Sequence, residues 1–264
     1  MINKIIKKLF GIITIFFSFR FAQNQLIKTR RIIGYVLGFG YGGEVEYSGE
    51  LKVLKKIIKS SDNEFCIFDV GCNKGDYIKY VYYYGKKYSK RIRCHAFEPN
   101  SYCYEYLNSE YGNFDDLVLN NLAVSNENTK QKLYYDHEFS GSSSLIKPDD
   151  IESYDEMDIK TTSLDEYTSE SIDLLKVDVE GYEMNVFKSA YKLISERKIK
   201  NILFEFGGQG VNSKTFFIDI YKYFTENDYT LYRITPTGYL FEIIEWEFTL
   251  EYFSATNYLA KLNS

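Results

Sequence analysis

From residue 50 onward the apolar positions alternate between helical spacing and short continuous runs. Residues 50–60 carry apolar side chains three and four apart, which predicts a helix. Residues 65–70 are an almost unbroken apolar run and predict a buried strand, followed by a helix over 76–88. The same reading predicts a strand over 92–98, a helix over 100–110 and a further strand-like segment over 117–124. A polar stretch of roughly 125–156 then interrupts the pattern, with Ser140-Gly141-Ser142-Ser143-Ser144 at its centre. Alternation resumes with a strand over 172–178, a helix over 182–196, a strand over 200–206, a helix over 214–226 and a strand over 229–234. The tail, 239–262, is rich in β-branched and aromatic residues and predicts antiparallel strands. Strands alternating with helices predict an α/β, three-layer fold around a mostly parallel sheet. Ligands of such sheets bind at the carboxyl ends of the strands.

The segment before residue 49 differs. Leu9 to Phe19 is apolar apart from Thr14 and Ser18, with Lys4, Lys7 and Lys8 before it and Arg20 after it. The run is short for a membrane span, and no small-x-small cleavage site follows. The expectation is a basic, apolar helix over residues 1–48, lying on a membrane surface or packed on a domain over 49–264. Charge supports the division. Residues 1–43 carry +7 with no acid, so a chain of net charge −5 leaves −12 on the remainder. That acidic body argues against nucleic acid as the main partner. With 26 Tyr in the chain, a cluster such as Tyr82-Tyr83-Tyr84 is no evidence of a binding patch. Cys66, Cys72, Cys94 and Cys103 form no CxxC pair, so buried free thiols in a reducing, cytoplasmic compartment are expected.

Candidate chemistry gathers at strand ends. Asp69-x-Gly71-x-Asn73-x-Gly75 has the form of a strand-to-helix loop that lets a nucleotide-like cofactor approach the backbone. Glu98, before Pro99 and Asn100, closes the next strand, where a carboxylate can accept from both hydroxyls of a ribose. Asn121, beside Leu122 and Ala123, could frame an adenine edge. Each has a plainer reading: Asp69 as a helix cap, Glu98 as a solvated acid, Asn121 as a turn residue. A nicotinamide dehydrogenase would show G-x-G-x-x-G with its acid about 20 residues on. Here Asn73 stands at the second glycine and Glu98 lies further along.

The fourth strand end reads Lys176-Val177-Asp178-Val179-Glu180-Gly181-Tyr182-Glu183, with Thr162-Ser163-Leu164-Asp165 upstream. Together with Phe68–Gly75 and Ala96–Asn100, this resembles the FkbM family of methyltransferases. Ser143-Ser144-Leu145 resembles that family's serine-containing loop, and Asn257-Tyr258-Leu259-Ala260 its closing strand. The similarity spans about residues 50–262. It implies a Rossmann-like methyltransferase fold, with a mostly parallel seven-stranded sheet and an antiparallel C-terminal strand. It also implies S-adenosylmethionine as donor and a hydroxyl of a small molecule, secondary metabolite or glycan as acceptor. Asp69, Gly71, Asn73, Gly75, Glu98 and Pro99 are implied as cofactor residues. Asp178, Glu180 and Glu183 are implied beside the acceptor, with Ser144 and Glu205. The chain departs from many relatives after Glu205, where Phe206-Gly207-Gly208 brings no histidine.

Methyl transfer to an alcohol requires alignment and removal of a proton. Asp178 is the leading candidate for the base, and His137 is a second if its loop covers the site. In an extended segment Asp178 and Glu180 project to the same side. These acids are compatible with a divalent cation on Asp178, a reading kept open but not favoured. His95, within an apolar strand, is expected in the core, and 137–156 is a candidate lid. No Asn/Asp-Pro-Pro-aromatic segment follows a strand, which favours a hydroxyl acceptor over a base amine. The competing functions are an NAD(P)-dependent oxidoreductase and a non-catalytic cofactor-binding scaffold. The acceptor's identity and the oligomeric state are not legible.

Overall fold

The computed structural model describes Lys7, Phe10, Gly11 and residues 13–147 and 154–263. Lys4, Lys8 and Leu9 of the N-terminal segment, and residues 148–153 of the candidate lid, lie outside the described residues.

The first long helix, α1, is Arg20–Leu37, and α2 is Glu50–Ser60. Then follow β1 (Glu64–Val70), α3 (Asp76–Lys87), β2 (Arg91–Phe97), α4 (Ser101–Tyr111) and β3 (Leu117–Asn120). After a small second sheet come β7 (Leu174–Val177), β8 (Asn201–Phe206) and β9 (Tyr229–Ile234), with β10 (Leu240–Glu242) and β11 (Thr256–Leu262) in the tail. The main sheet has the order β10-β9-β11-β8-β7-β1-β2-β3. β3, β2, β1, β7 and β8 run parallel, while β11 inserts antiparallel between β8 and β9. This is the expected sheet with its reversed C-terminal strand, and short β10 adds an eighth member at the edge.

Alternation of side chains along β1 produces the three layers. Cys66, Phe68 and Val70 enter one core, Phe65 and Ile67 the other. A strand buried on both faces needs apolar residues throughout, which is why β1 and β7 read as continuous runs. Two predicted helices prove interrupted. The segment 182–196 is two short helices, Glu183–Ser189 and Tyr191–Ser195, meeting at Ala190, and 214–226 is regular only over Phe217–Thr225.

The segment 117–124 serves two sheets. β3 pairs with β2, whereas β4 (Ala123–Val124) joins β6 (Asp155–Thr162), which also pairs antiparallel with β5 (Lys130–Tyr135). The break is at Asn121, whose Nδ2 donates to Glu98 O at 2.9 Å and Pro99 O at 3.1 Å. The polar interruption thus contributes β5 and the start of β6 to a small three-stranded sheet. It failed to announce itself because its strands are two-sided and largely polar, with Leu133 and Ile159 forming its small core.

Candidate active site

A cavity of about 650 Å³ opens at the carboxyl ends of β1, β2, β7 and β8. Its first half is built by the β1–α3 loop. Gly71 has φ +80°, and a Cβ there would stand 1.8 Å from Asp178 O. Gly75 has φ +77°, and its Cβ would meet Leu107 and Tyr111 at 2.7 and 2.8 Å. The glycines are therefore demanded by the chain's own packing, before any cofactor is considered. Asn73, also at positive φ (47°), donates its backbone N–H to Glu98 Oε2 at 2.8 Å, and Asn100 N donates to Oε1 at 2.9 Å. A carboxylate has about four acceptor sites, so two remain for a ligand. Burial pushes the Glu98 carboxyl up to about 7, against the two amide bonds that lower it. Pro99, Leu122, Ala123, Val124 and Leu133 supply an apolar flank.

The second half is acidic. Glu50, Asp178, Glu180, Glu183 and Glu205 line it around one buried cation, Lys176. Lys176 Nζ donates to Asp178 Oδ2 at 3.1 Å and lies 3.8 Å from Asp69 Oδ1. Burial alone would lower the Lys176 pKa, but Asp178, Asp69 and Glu50 outweigh it and raise it. Burial raises Glu50 to about 7, Asp69 to about 6 and Glu183 to about 7. It raises Glu180 to about 8, with Asp178 and Glu183 adding to the shift. Glu205 is raised by burial and by the facing carboxylates, Asp178 first among them. The turn after β7 is tight: Glu180 has φ +52°, and Gly181 N donates to Glu183 Oε1 at 2.9 Å.

A strap over 136–147 joins the halves. Asn73 Nδ2 donates to Ser140 O at 3.1 Å, and Asn100 Nδ2 donates to Glu138 O at 3.0 Å. At the acidic end Ser144 Oγ donates to Glu180 O at 2.8 Å.

Of the residues singled out in the sequence, Gly71, Asn73, Glu98, Pro99, Ala123, Ser144, Asp178, Glu180, Glu183 and Glu205 line this cavity. Four do not. Asp69 is buried behind it against Lys176, and Gly75 packs on α4. Asn121 spends its amide on the turn after β2 rather than on an adenine edge. His137 is exposed and pairs with Asp136 at 2.8 Å, so the expectation of a base there fails on position. Asp178 and Glu180 both line the cavity, but not through strand alternation, because β7 ends at Val177 and Glu180 turns left-handed. Lys176, two residues before Asp178, is its hydrogen-bonded partner at the strand end.

Among the lining residues that had not been anticipated are Lys176, Glu50 and Tyr77. Lys176 lay within the motif and was signalled by its two-residue spacing from Asp178. Glu50, which accepts from Ser48 Oγ at 2.8 Å, sat at the edge of the N-terminal segment and looked like an ordinary helix start. Tyr77, whose buried hydroxyl has no hydrogen-bond partner, was hidden by the abundance of tyrosine. Among the described residues no group of three or more His, Cys, Asp or Glu side chains is arranged to hold a metal ion.

The sheet order and the site at its carboxyl edge define a class I methyltransferase fold. The chain belongs to the FkbM family: the model of the methyltransferase FkbM domain matches residues 69–231. No curated protein matches the chain. Among solved structures, methyltransferase FkbM from Methylobacillus flagellatus KT is similar at 15% identity and a TM-score of 0.49. That match covers 75% of this chain, which spans only 44% of the other's length. Precorrin-6y C5,15-methyltransferase from Geobacter metallireducens GS-15 is similar at 10% identity and a TM-score of 0.41, covering 80% of this chain and 86% of that one. TrmK of M. capricolum, in complex with S-adenosyl-homocysteine, is similar at 11% identity and a TM-score of 0.38, covering 80% and 67%.

Proposed function

We propose that this chain is an S-adenosylmethionine-dependent O-methyltransferase acting on a hydroxyl of a sugar or glycan. The observation that carries the reading is one cavity in which Glu98 and the Gly71 loop face the Lys176–Asp178 pair. The residues fit the donor. Glu98 keeps free acceptor sites for ribose hydroxyls, the flank at Leu122–Val124 suits an adenine face, and the buried Tyr77 hydroxyl lacks a partner. Bound there, the cofactor supplies an electrophilic methyl group on a sulfonium.

The chain's own part is to hold and deprotonate the acceptor. Asp178, its carboxylate fixed by Lys176, accepts the proton of the acceptor hydroxyl as its oxygen becomes nucleophilic. Glu180, raised to about 8, is largely protonated at neutral pH, so it can both donate and accept. Glu183, at about 7, is divided between the two forms. Such groups match the mixed donors and acceptors of a sugar edge. The lining offers only Lys74 and Lys176 as cations, no basic face for a phosphate backbone, which argues against a nucleic-acid acceptor.

Calorimetry with S-adenosylhomocysteine and with NAD, followed by methyl-transfer assays on a panel of sugars, tests the reading. Binding of S-adenosylhomocysteine and turnover of a hydroxyl acceptor are expected. Binding of NAD alone would make the protein an oxidoreductase. Cofactor binding without transfer to any hydroxyl would make it a scaffold.

A further inference from the structure

The 18-residue helix α1 buries only Ala22 and Gly34, whereas a surface helix of a globular protein normally buries a whole stripe. At 100° per residue, Phe21, Leu26, Ile32, Ile33, Val36 and Leu37 share one arc with Ala22, Gln25 and Thr29, and these six large apolar residues are all exposed, Val36 by 73%. Arg20 and Arg31 fall on the opposite arc, with Lys28 and Arg30 at its two borders. No acid precedes Glu44. Among the described residues no helix is long and apolar enough to cross a membrane.

An apolar arc with an acid-free basic rim makes two demands at once: hydrocarbon against the arc, and anions level with the rim. A bilayer bearing anionic headgroups meets both in the right order. Basic side chains at the borders reach the headgroups while the arc enters the acyl boundary. We propose that α1 docks in the plane of an anionic bilayer surface.

The helix is held to the body at its C-terminal end, so docking also orients the cavity. A Cβ at Gly38 would stand 2.5 Å from Ile234 O. The Arg233 guanidinium stacks on the Phe39 ring at 3.9 Å, and Gly42 N donates to Ala255 O at 2.8 Å. Gly42 and Gly43 then line the acidic half of the cavity. Four residues, 38–41, therefore separate the docking helix from the cavity wall at Gly42, a reach of at most about 18 Å over five Cα steps.

Cosedimentation of the full chain tests the proposal. The vesicles are phosphatidylglycerol and phosphatidylcholine in equal parts, compared with phosphatidylcholine alone. Preferential pelleting with the anionic vesicles is expected. Ile33→Asp/Val36→Asp and, separately, Lys28→Glu/Arg30→Glu should each lower binding about tenfold or more, with circular dichroism and melting unchanged because these positions are exposed. A wild-type chain that stays in the supernatant overturns the proposal, as does either double variant pelleting like wild type. Concentration-dependent self-association lost in Ile33→Asp/Val36→Asp, without vesicle binding, would instead make the arc a subunit interface. The assay reads binding alone, so failure here leaves the methyl-transfer reading untouched.

Discussion

Lys176 Nζ donates to Asp178 Oδ2 at 3.1 Å across two residues of one strand end, with the Lys176 side chain buried and the Asp178 side chain 41% exposed. The pair thus has a dry partner that holds and a wet one that can react. Asp178→Asn should cut methyl transfer by about 10²–10⁴-fold while affinity for S-adenosylhomocysteine, read by calorimetry, is kept. His137→Ala should turn over like wild type; a comparable loss there would move the base to the strap.

Lys176→Met removes the cation that Asp69 and Asp178 face. Taking one partner from a buried ion pair costs roughly 3–5 kcal/mol, so a large drop in melting temperature is expected. A variant that melts like wild type would show the carboxylates are balanced elsewhere.

Glu98→Ala strips the acceptor from the half-buried Asn73 N and the buried Asn100 N, the buried amide costing about 1–3 kcal/mol when unpaired. Glu98→Gln keeps one acceptor oxygen, so it should fold better yet still bind S-adenosylhomocysteine weakly. Unchanged affinity in the glutamine variant would remove Glu98 from the donor site.

Stability should fall as pH rises. Glu50, Glu98, Glu180 and Glu183 have folded pKa values of about 7 to about 8, above the ordinary carboxylate value. The folded chain then binds protons more tightly than the unfolded one, and ionisation destabilises it between the two values. Exposed Asp116 and Glu170, whose pKa values are lowered by Arg91 and Arg93, act in the opposite sense only at more acid pH. His95, lowered chiefly by burial, opposes the trend near its own titration. The ligand-free protein should melt higher near pH 5.5 than near pH 8, and Glu180→Gln should flatten the upper part of that slope. A melting temperature that climbs across this interval contradicts the assignment.

The main sheet was legible because its central strands, β1 and β7, are buried on both faces and admit few polar residues. Glu98 and Asp178 were legible because parallel strands place their carboxyl ends on one edge. Three things escaped for physical reasons. The small sheet has strands too polar to stand out. Glu180 lies past the strand and is itself left-handed, so alternation does not place it, and Glu50 reaches the site through tertiary packing that no local pattern encodes. The Gly71 loop was read as a cofactor turn, and its missing Cβ also makes room for the peptide at Asp178.

That close approach has a consequence for how such a site can be altered. Asp178 N also donates to Val70 O at 2.9 Å, so the loop and the strand end behave as a single hinge-free block. Changing the length of either would carry the proposed base out of line with the donor. The peptide at 178 has to be inherited whole.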